Sequence, residues 1–182
     1  MQLEQIKIVH QVPYSDGHVS WHEFGSANLG SIPLVLLHGG HGSWEHWRKN
    51  IEGLAEHFHI YVPDMPGFGG SSFFDSQFQA GMVDPMIATI NTLIGANEKI
   101  DIAGFSFGGF VAAHIANQRA GVRKLALLGS AGHGGPRRPR GDLLAWQELH
   151  ASGNTEELDR VMRENLFQQM LSSYDRIDPL AV

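Results

Sequence analysis

The sequence contains no cysteine. That excludes a disulfide framework, a thiol nucleophile and thiolate metal ligands. Lysine and arginine number 13 against 19 aspartates and glutamates, a net charge of −6, and no basic stripe of the kind nucleic acid requires is present. The one basic cluster, Pro136-Arg137-Arg138-Pro139-Arg140, is short and reads as a solvated loop. No apolar run approaches the ~20 residues of a membrane span. The N-terminal stretch MQLEQIKIVHQ lacks the basic-then-apolar pattern of a signal segment. A cytoplasmic protein with no nucleic-acid and no membrane partner is therefore expected. Internal repeats and low-complexity tracts are also lacking.

What is present is enough chain, 182 residues of which 42% are hydrophobic, to bury one sizeable core. Ile6 to Val9 and His18 to Phe24 read as short strands joined through a turn at Ser15-Asp16-Gly17. Ile32 to Leu37 is an unbroken apolar run that suits a strand buried on both faces of a sheet. It ends in His38-Gly39-Gly40-His41-Gly42, after which Ser43 caps a helix carrying Trp44, Trp47, Ile51, Leu54 and Phe58 on one face. Ile60 to Val62 is the next strand and leads into Asp64-Met65-Pro66-Gly67-Phe68-Gly69-Gly70-Ser71. Asp84-Pro85 reads as a cap and first turn for a helix with Met86, Ile90, Leu93 and Ile94. Ile100 to Ala103 and Leu125 to Leu128 are further strands. Alternating strands and helices from Ile32 to Leu128 predict an α/β fold, a mainly parallel sheet with helices on both faces. In such sheets ligands bind at the carboxyl ends of the strands, and the glycine-rich loops 38–42, 67–70 and 104–109 all fall there.

The stretch from Lys99 to Arg119 carries the chemistry. A short apolar strand, Gly104-Phe105-Ser106-Phe107-Gly108, then an amphipathic run with Phe110, Val111, Ile115 and Ala116 form the nucleophile-elbow pattern. A serine at the tip of a strand-to-helix turn is strained, and its hydroxyl projects from the end of the sheet. The helix folds back on its own strand, so Gly104 and Gly108 are required and Gly109 adds slack. Ser106 then stands at a helix N-terminus, where backbone N–H groups favour developing negative charge.

After Ser130 the pattern changes. Gly132 to Gly141 is a loop rich in glycine, proline and arginine. Leu143 to His150 reads as helical. Asn154 with Glu157 resembles a capping box opening a helix with Leu158, Val161, Met162, Leu166, Met170 and Leu171 as its stripe. Asp178-Pro179 is positioned to start one more. Two helices after a βα sheet read either as a lid over the site or as a plain helical tail.

Three motifs together resemble the α/β-hydrolase family: His38-Gly39-Gly40, Asp64-x-Pro66-Gly67-x-Gly69-x-Ser71 and Gly104-x-Ser106-x-Gly108. The resemblance spans about residues 5 to 131, the N-terminal part of the core (domain 1–131), and continues loosely through 132–182 as a partial helical cap. It implies that Ser106 is the nucleophile and that the N–H groups of Phe107 and Gly40 form the oxyanion hole. Gly39, His41 and Phe105 would line the substrate site. Serine at the elbow departs from the haloalkane dehalogenase and epoxide hydrolase branches and fits esterases, acyl hydrolases and carbon–carbon bond hydrolases. The implied partner is a small-molecule ester or similar carbonyl substrate, with no cofactor and no metal; oligomeric state is left open.

In the family an acid and then a histidine follow the serine on later loops, and this sequence ends before either strand. After Ser106 the histidines are His114, His133 and His150. His114 lies about 12 Å along the helix at 1.5 Å per residue, His150 is in the expected lid, and His133 follows the next strand, from which it could approach the site as a disfavoured candidate base. Asp142, Asp159, Asp175 and Asp178 have no placement facing the elbow. The reading is a hydrolase truncated at its C-terminus, with the triad incomplete in this chain and the chain by itself inactive. The alternatives are a non-catalytic ligand-binding or interaction protein and an inactive fragment of a longer hydrolase. His38, His41, Glu45 and His46 lack metal-ligand spacing and read as structural or solvent-facing. Asp64, beside Pro66 and Gly67, reads as tying down its own loop. Trp44 and Trp47 are expected in the core. Phe68, Phe73, Phe74 and Phe78 fit an apolar wall or a mobile loop equally. The elbow glycines do not form Gly-x-Gly-x-x-Gly, and no Gly-Lys-Ser/Thr follows, so no nucleotide site is expected.

Overall fold

The strands sort their side chains strictly by alternation. In a computed structural model describing residues 8–25, 31–135, 142–170 and 173–177, six strands form one sheet. They are β1 (Ile8–Tyr14), β2 (Gly17–Phe24), β3 (Leu34–Leu37), β4 (Ile60–Pro63), β5 (Ile100–Phe105) and β6 (Val122–Leu128). Their order across the sheet is β1-β2-β4-β3-β5-β6. The β1–β2 and β2–β4 pairs are antiparallel, and β4, β3, β5 and β6 run parallel.

Val35, Leu37, Tyr61, Ile100 and Ile102 point to one side, with Trp21 of β2. There they meet Met86 and Ile90 of α2 (Asp84–Leu93) and Val111, Ala112 and Ile115 of α3 (Phe107–Gln118). Leu36, Ile60, Val62, Phe24 and Ala103 point to the other side. They pack on Trp44 and Trp47 of a 3₁₀ turn, Trp44–Trp47, and on Ile51 of α1 (Arg48–Ala55). The two-residue period of a strand feeds both cores at once, and each fully buried large side chain contributes about 1.5–3 kcal/mol. The chain is thus an α/β fold with helices on both faces.

Boundaries differ from the sequence expectation where tertiary pairing overrides local signals. The first strand extends past Val9 to Tyr14, because the ladder Ile8↔Glu23 to Tyr14↔Gly17 carries it through Pro13. An edge strand tolerates that proline because the missing N–H faces outward. Ile6 and Lys7 lie outside the described residues. Ser43 caps the 3₁₀ turn, its hydroxyl accepting from the Glu45 N–H at 3.3 Å. Asp84 does not cap the next helix: a π-helical turn, Gln79–Val83, runs directly into α2, and Asp84 is already helical. Its carboxylate is held by the Gln79 side chain.

Among the described residues β6 has one sheet neighbour, β5. Leu125, Leu127 and Leu128 are 40%, 50% and 44% exposed, which marks this edge as a site for further pairing. The chain divides into two compact units, Met1–His133 and Gly134–Val182. Within the second, α4 (Gln147–Ser152) ends at Gly153 in the left-handed region (φ 72). α5 (Thr155–Met170) begins where the Asn154 side chain accepts from the Glu157 N–H at 3.3 Å. Helix α4 starts later than the expected Leu143. The Leu144 N–H and C=O are both taken by the Asn165 side chain (2.8 and 3.0 Å) rather than by a helical ladder. The basic cluster at 137–140, Leu171 and Asp178-Pro179 lie outside the described residues.

Candidate active site

Ser106 joins β5 to α3 with φ 53 and ψ −115, a backbone conformation that L-residues adopt only under constraint. The constraint is visible. The Ser106 N–H donates to the Leu128 carbonyl at 2.9 Å, and its own carbonyl accepts from the N–H groups of Gly109 (3.1 Å) and Ala131 (2.9 Å). Its side chain makes no capping bond to α3, so the hydroxyl is not spent on the helix. Among the described residues no imidazole or carboxylate hydrogen-bonds to that hydroxyl.

The glycines around it are demanded by packing. A Cβ on Gly104 would lie 2.3 Å from the Gly108 carbonyl oxygen. One on Gly108 would lie 2.3 Å from the His38 carbonyl oxygen and 2.4 Å from that of Leu37. It is therefore the end of the neighbouring strand β3, not only the helix's own strand, that forbids bulk at 108. Gly109 is not slack: a Cβ there would meet the Ser130 side chain at 2.8 Å.

The same close approach draws the loop after β3 over the serine turn. The Cβ position of Gly40 falls 3.7 Å from Phe107 Cβ, and that of Gly39 falls 3.0 Å from the Phe105 ring. Gly39, Gly40, Phe105, Ser106 and Phe107 are thus brought together. His41 is exposed at the crest of the loop, also in the left-handed region (φ 57). Among the described residues neither the Gly40 N–H nor the Phe107 N–H has a protein acceptor.

Two imidazoles fasten this loop. His38 is fully buried. Its Nδ1–H donates to the Gly39 carbonyl at 2.7 Å, and its Nε2 accepts from the Met65 N–H at 2.9 Å. That arrangement requires the neutral ring. Burial drives its pKa down to about 4; the hydrogen bond to Gly39 opposes this, His46 adds to it, and the nearby Asp64 charge opposes it. His46 Nδ1 accepts from the Gly39 N–H at 3.2 Å.

Behind them Asp64 organises the loop after β4. Its carboxylate accepts from the N–H groups of Trp44 (2.9 Å) and Gly70 (3.0 Å) and from His22 Nε2 (3.3 Å). Burial alone would raise its pKa; the His22 hydrogen bond and the two backbone N–H groups outweigh this and lower it. Gly69, at φ 51, would place a Cβ 2.4 Å from the Asp64 carboxyl carbon, so the loop wraps the carboxylate only with glycine there.

An aromatic wall flanks the turn. Phe107 packs between Phe68 (6.5 Å between centroids) and Phe78 (6.2 Å), and Phe78 continues to Phe110 (5.0 Å) and His114 (5.1 Å). Phe74 packs edge-on to Tyr14, while Phe73 is 70% exposed. Among the described residues no group of three or more His, Asp or Glu side chains is placed to hold a metal ion. None of the described helices is long and apolar enough to cross a membrane. Sequence reasoning missed the His22–Asp64 pair and the hydrogen bond from Gly39 to His46, which leave no spacing signal because each joins separate elements; it also missed the part Phe110 and His114 take in the wall, although with Phe107 they share one face of α3 at helical spacing.

A family model for the alpha/beta hydrolase fold matches residues 32–176. The chain is 29% identical over 148 residues to the pimeloyl-[acyl-carrier protein] methyl ester esterase of Vibrio campbellii, covering 81% of this chain and 52% of that protein. It is 36% identical over 107 residues to the 2-hydroxymuconate semialdehyde hydrolase of a Pseudomonas species, covering 56% of this chain and 37% of that protein. The solved 2-hydroxy-6-oxo-6-phenylhexa-2,4-dienoate hydrolase of a Rhodococcus species superposes with a TM-score of 0.65 at 24% identity, over 96% of this chain and 68% of that one. The chain spans about half the length, or less, of these curated relatives. With the matched segment covering most of its residues, this chain belongs to the alpha/beta hydrolase fold family.

Proposed function

We propose that the chain carries the nucleophile and oxyanion hole of a serine hydrolase acting by acyl transfer. Ser106 Oγ attacks the carbonyl carbon of an ester, a thioester or a ketone beside an activated carbon–carbon bond, its proton passing to a base; the alkoxide, thiolate or stabilised carbanion leaves with that proton, and water then hydrolyses the acyl-serine. The N–H groups of Gly40 and Phe107 receive the oxygen as it becomes negative, each worth about 3 kcal/mol in the transition state. The observation that carries the reading is the constrained Ser106 turn with Gly40 drawn against Phe107. It leaves the hydroxyl uncapped and two N–H groups without acceptors beside it.

Gly39, His41 and Phe105 border the substrate under this reading, and the aromatic wall at Phe68, Phe78 and Phe107 suits a small, partly apolar acyl group. The two helices of Gly134–Val182 are read as part of a cap, and the setting as cytoplasmic. A serine hydroxyl needs a base. Of the histidines near the turn, His38 and His46 hold Gly39, and His114 packs edge-on to Phe78 and Phe110. The reading therefore assigns none of them as the base and looks outside these residues for both base and acid. Relatives named as an ester esterase and a semialdehyde hydrolase support the hydrolase class.

The test is fluorophosphonate treatment of a longer protein that carries this chain together with the base and acid, followed by peptide mass spectrometry. A single adduct on Ser106, absent in Ser106→Ala, is the expected result. Labelling of other serines with Ser106 untouched would overturn the assignment.

A further inference from the structure

His46 lies in none of the three glycine-rich loops, yet its ring is built into one of them. Its Nδ1 accepts the Gly39 N–H at 3.2 Å. A Cβ on Gly42 would fall 2.1 Å from the His46 ring, and one on Gly39 would fall 3.5 Å from the same ring carbon. The niche thus exists only because 42 is glycine. The ring also meets Phe105 edge-on at 6.0 Å and His38 at 6.1 Å.

The consequence follows from peptide geometry. Gly39 has two polar backbone atoms, and an imidazole holds each: His46 takes the N–H, and His38 donates to the C=O. In a trans peptide the N–H of the next residue points opposite to that C=O. His38 therefore sets the direction of the Gly40 N–H, and His46, holding the preceding peptide, limits rotation about the Gly39 φ and ψ that would carry that plane away. When the His46 bond breaks, the 38–39 peptide can rotate about the permissive Gly39 dihedrals, and the His38 contact alone is left to hold the Gly40 N–H.

We infer that His46 is a positioning residue for the oxyanion loop, acting as a hydrogen-bond acceptor that pins Gly39 so that the Gly40 N–H stays aimed at the reacting carbonyl; this rests on the acyl-transfer reading above. The role requires a neutral ring, since a protonated Nδ1 cannot accept. Partial burial holds the His46 pKa below the ordinary histidine value. The titratable group facing it from the end of β3 is His38, itself held neutral. Phe105 of β5 and the glycines at 39 and 42 bring no charge, and on its own segment Glu45 and Arg48 pair with each other at 3.6 Å.

The test separates acceptor from packing. His46→Asn keeps an acceptor oxygen where Nδ1 stood but loses the ring. His46→Phe keeps a ring but loses the acceptor. The readout is the rate of Ser106 phosphonylation at pH 8 in the longer protein that supplies base and acid, with folding of each variant checked by its urea midpoint. Removing one such hydrogen bond is expected to slow His46→Phe about fivefold to tenfold, with His46→Asn within about threefold of the parent. The reverse order, Phe matching the parent and Asn not, would show the ring to be mere filling and overturn the inference. A second measurement needs no reactivity: in ¹⁵N-labelled protein, a scalar coupling across the hydrogen bond between Gly39 N and His46 Nδ1, vanishing as the ring protonates. Its absence at neutral pH overturns the inference. Should Ser106 resist the probe even in the longer protein that supplies base and acid, the acyl-transfer reading fails by itself, and the coupling alone decides whether His46 fastens the loop.

Discussion

Lowering the pH from 7.5 to 4.5 should weaken the fold through His38 more than through any carboxylate. The buried ring is neutral, with a pKa near 4 against an ordinary value of 6.5. A base with a depressed folded-state pKa lends its stability in full above the unfolded value. That stability drains as pH falls from about 6.5 to about 4, because only the unfolded chain takes up the proton. Integrating the linkage between pH 7.5 and 4.5 gives a loss of about 2.5 kcal/mol. Asp64 does not confound this window, because its own pKa is lowered and it stays ionised. The assay is urea unfolding followed by tryptophan fluorescence, at both pH values, for the parent and for His38→Asn, which carries no titrating ring. The parent should lose about 2.5 kcal/mol more than the variant across the window. The His38 Cε1–H resonance should stay unshifted until near pH 4. Equal losses in the two proteins, or a resonance titrating near 6.5, would refute the reasoning and release His38 as a mobile, protonatable group.

Other expectations follow from the packing. Gly108→Ala drives a methyl into the His38 and Leu37 carbonyls and should cost about 3 kcal/mol, read as a lowered urea midpoint; an unchanged midpoint contradicts the close approach. Asp64→Asn weakens a charge-assisted acceptor of the Trp44 and Gly70 N–H groups and should cost about 2 kcal/mol. Amide exchange should speed up first in 64–71; protection unchanged there would show another anchor. Leu127→Lys places a charge on an exposed edge strand and should reduce self-association in sedimentation, whereas identical sedimentation would mean that β6 is not the sticking surface.

The layered fold could be read from the chain because each buried strand is an apolar run and each helix carries a stripe; Val35, Leu36 and Leu37 feed two cores by parity alone. The serine turn was legible in part, since Gly104 answers a local steric demand from the Gly108 carbonyl, whereas Gly108 answers to the Leu37 and His38 carbonyls at the end of β3. What left no trace in the sequence is long-range. Nothing in the order of residues says that His46 reaches back to Gly39, that His22 of β2 meets Asp64 beyond β4, or that Gly109 must clear Ser130. The Asp84-Pro85 pair misled because a proline is tolerated at a first helical turn whether or not the helix begins there, and the π-helical turn before it leaves no sequence mark. Pro13 similarly hid the length of β1, because an edge strand needs no N–H at that point.

The central claim is that Ser106 attacks a carbonyl whose oxygen is received by Gly40 and Phe107. A crystal structure of the phosphonylated protein decides this. The account predicts the phosphorus on Ser106 Oγ, with the phosphonyl oxygen about 2.7–3.1 Å from both N–H groups. An adduct whose oxygen points to solvent, with the Gly40 N–H turned elsewhere, would contradict it.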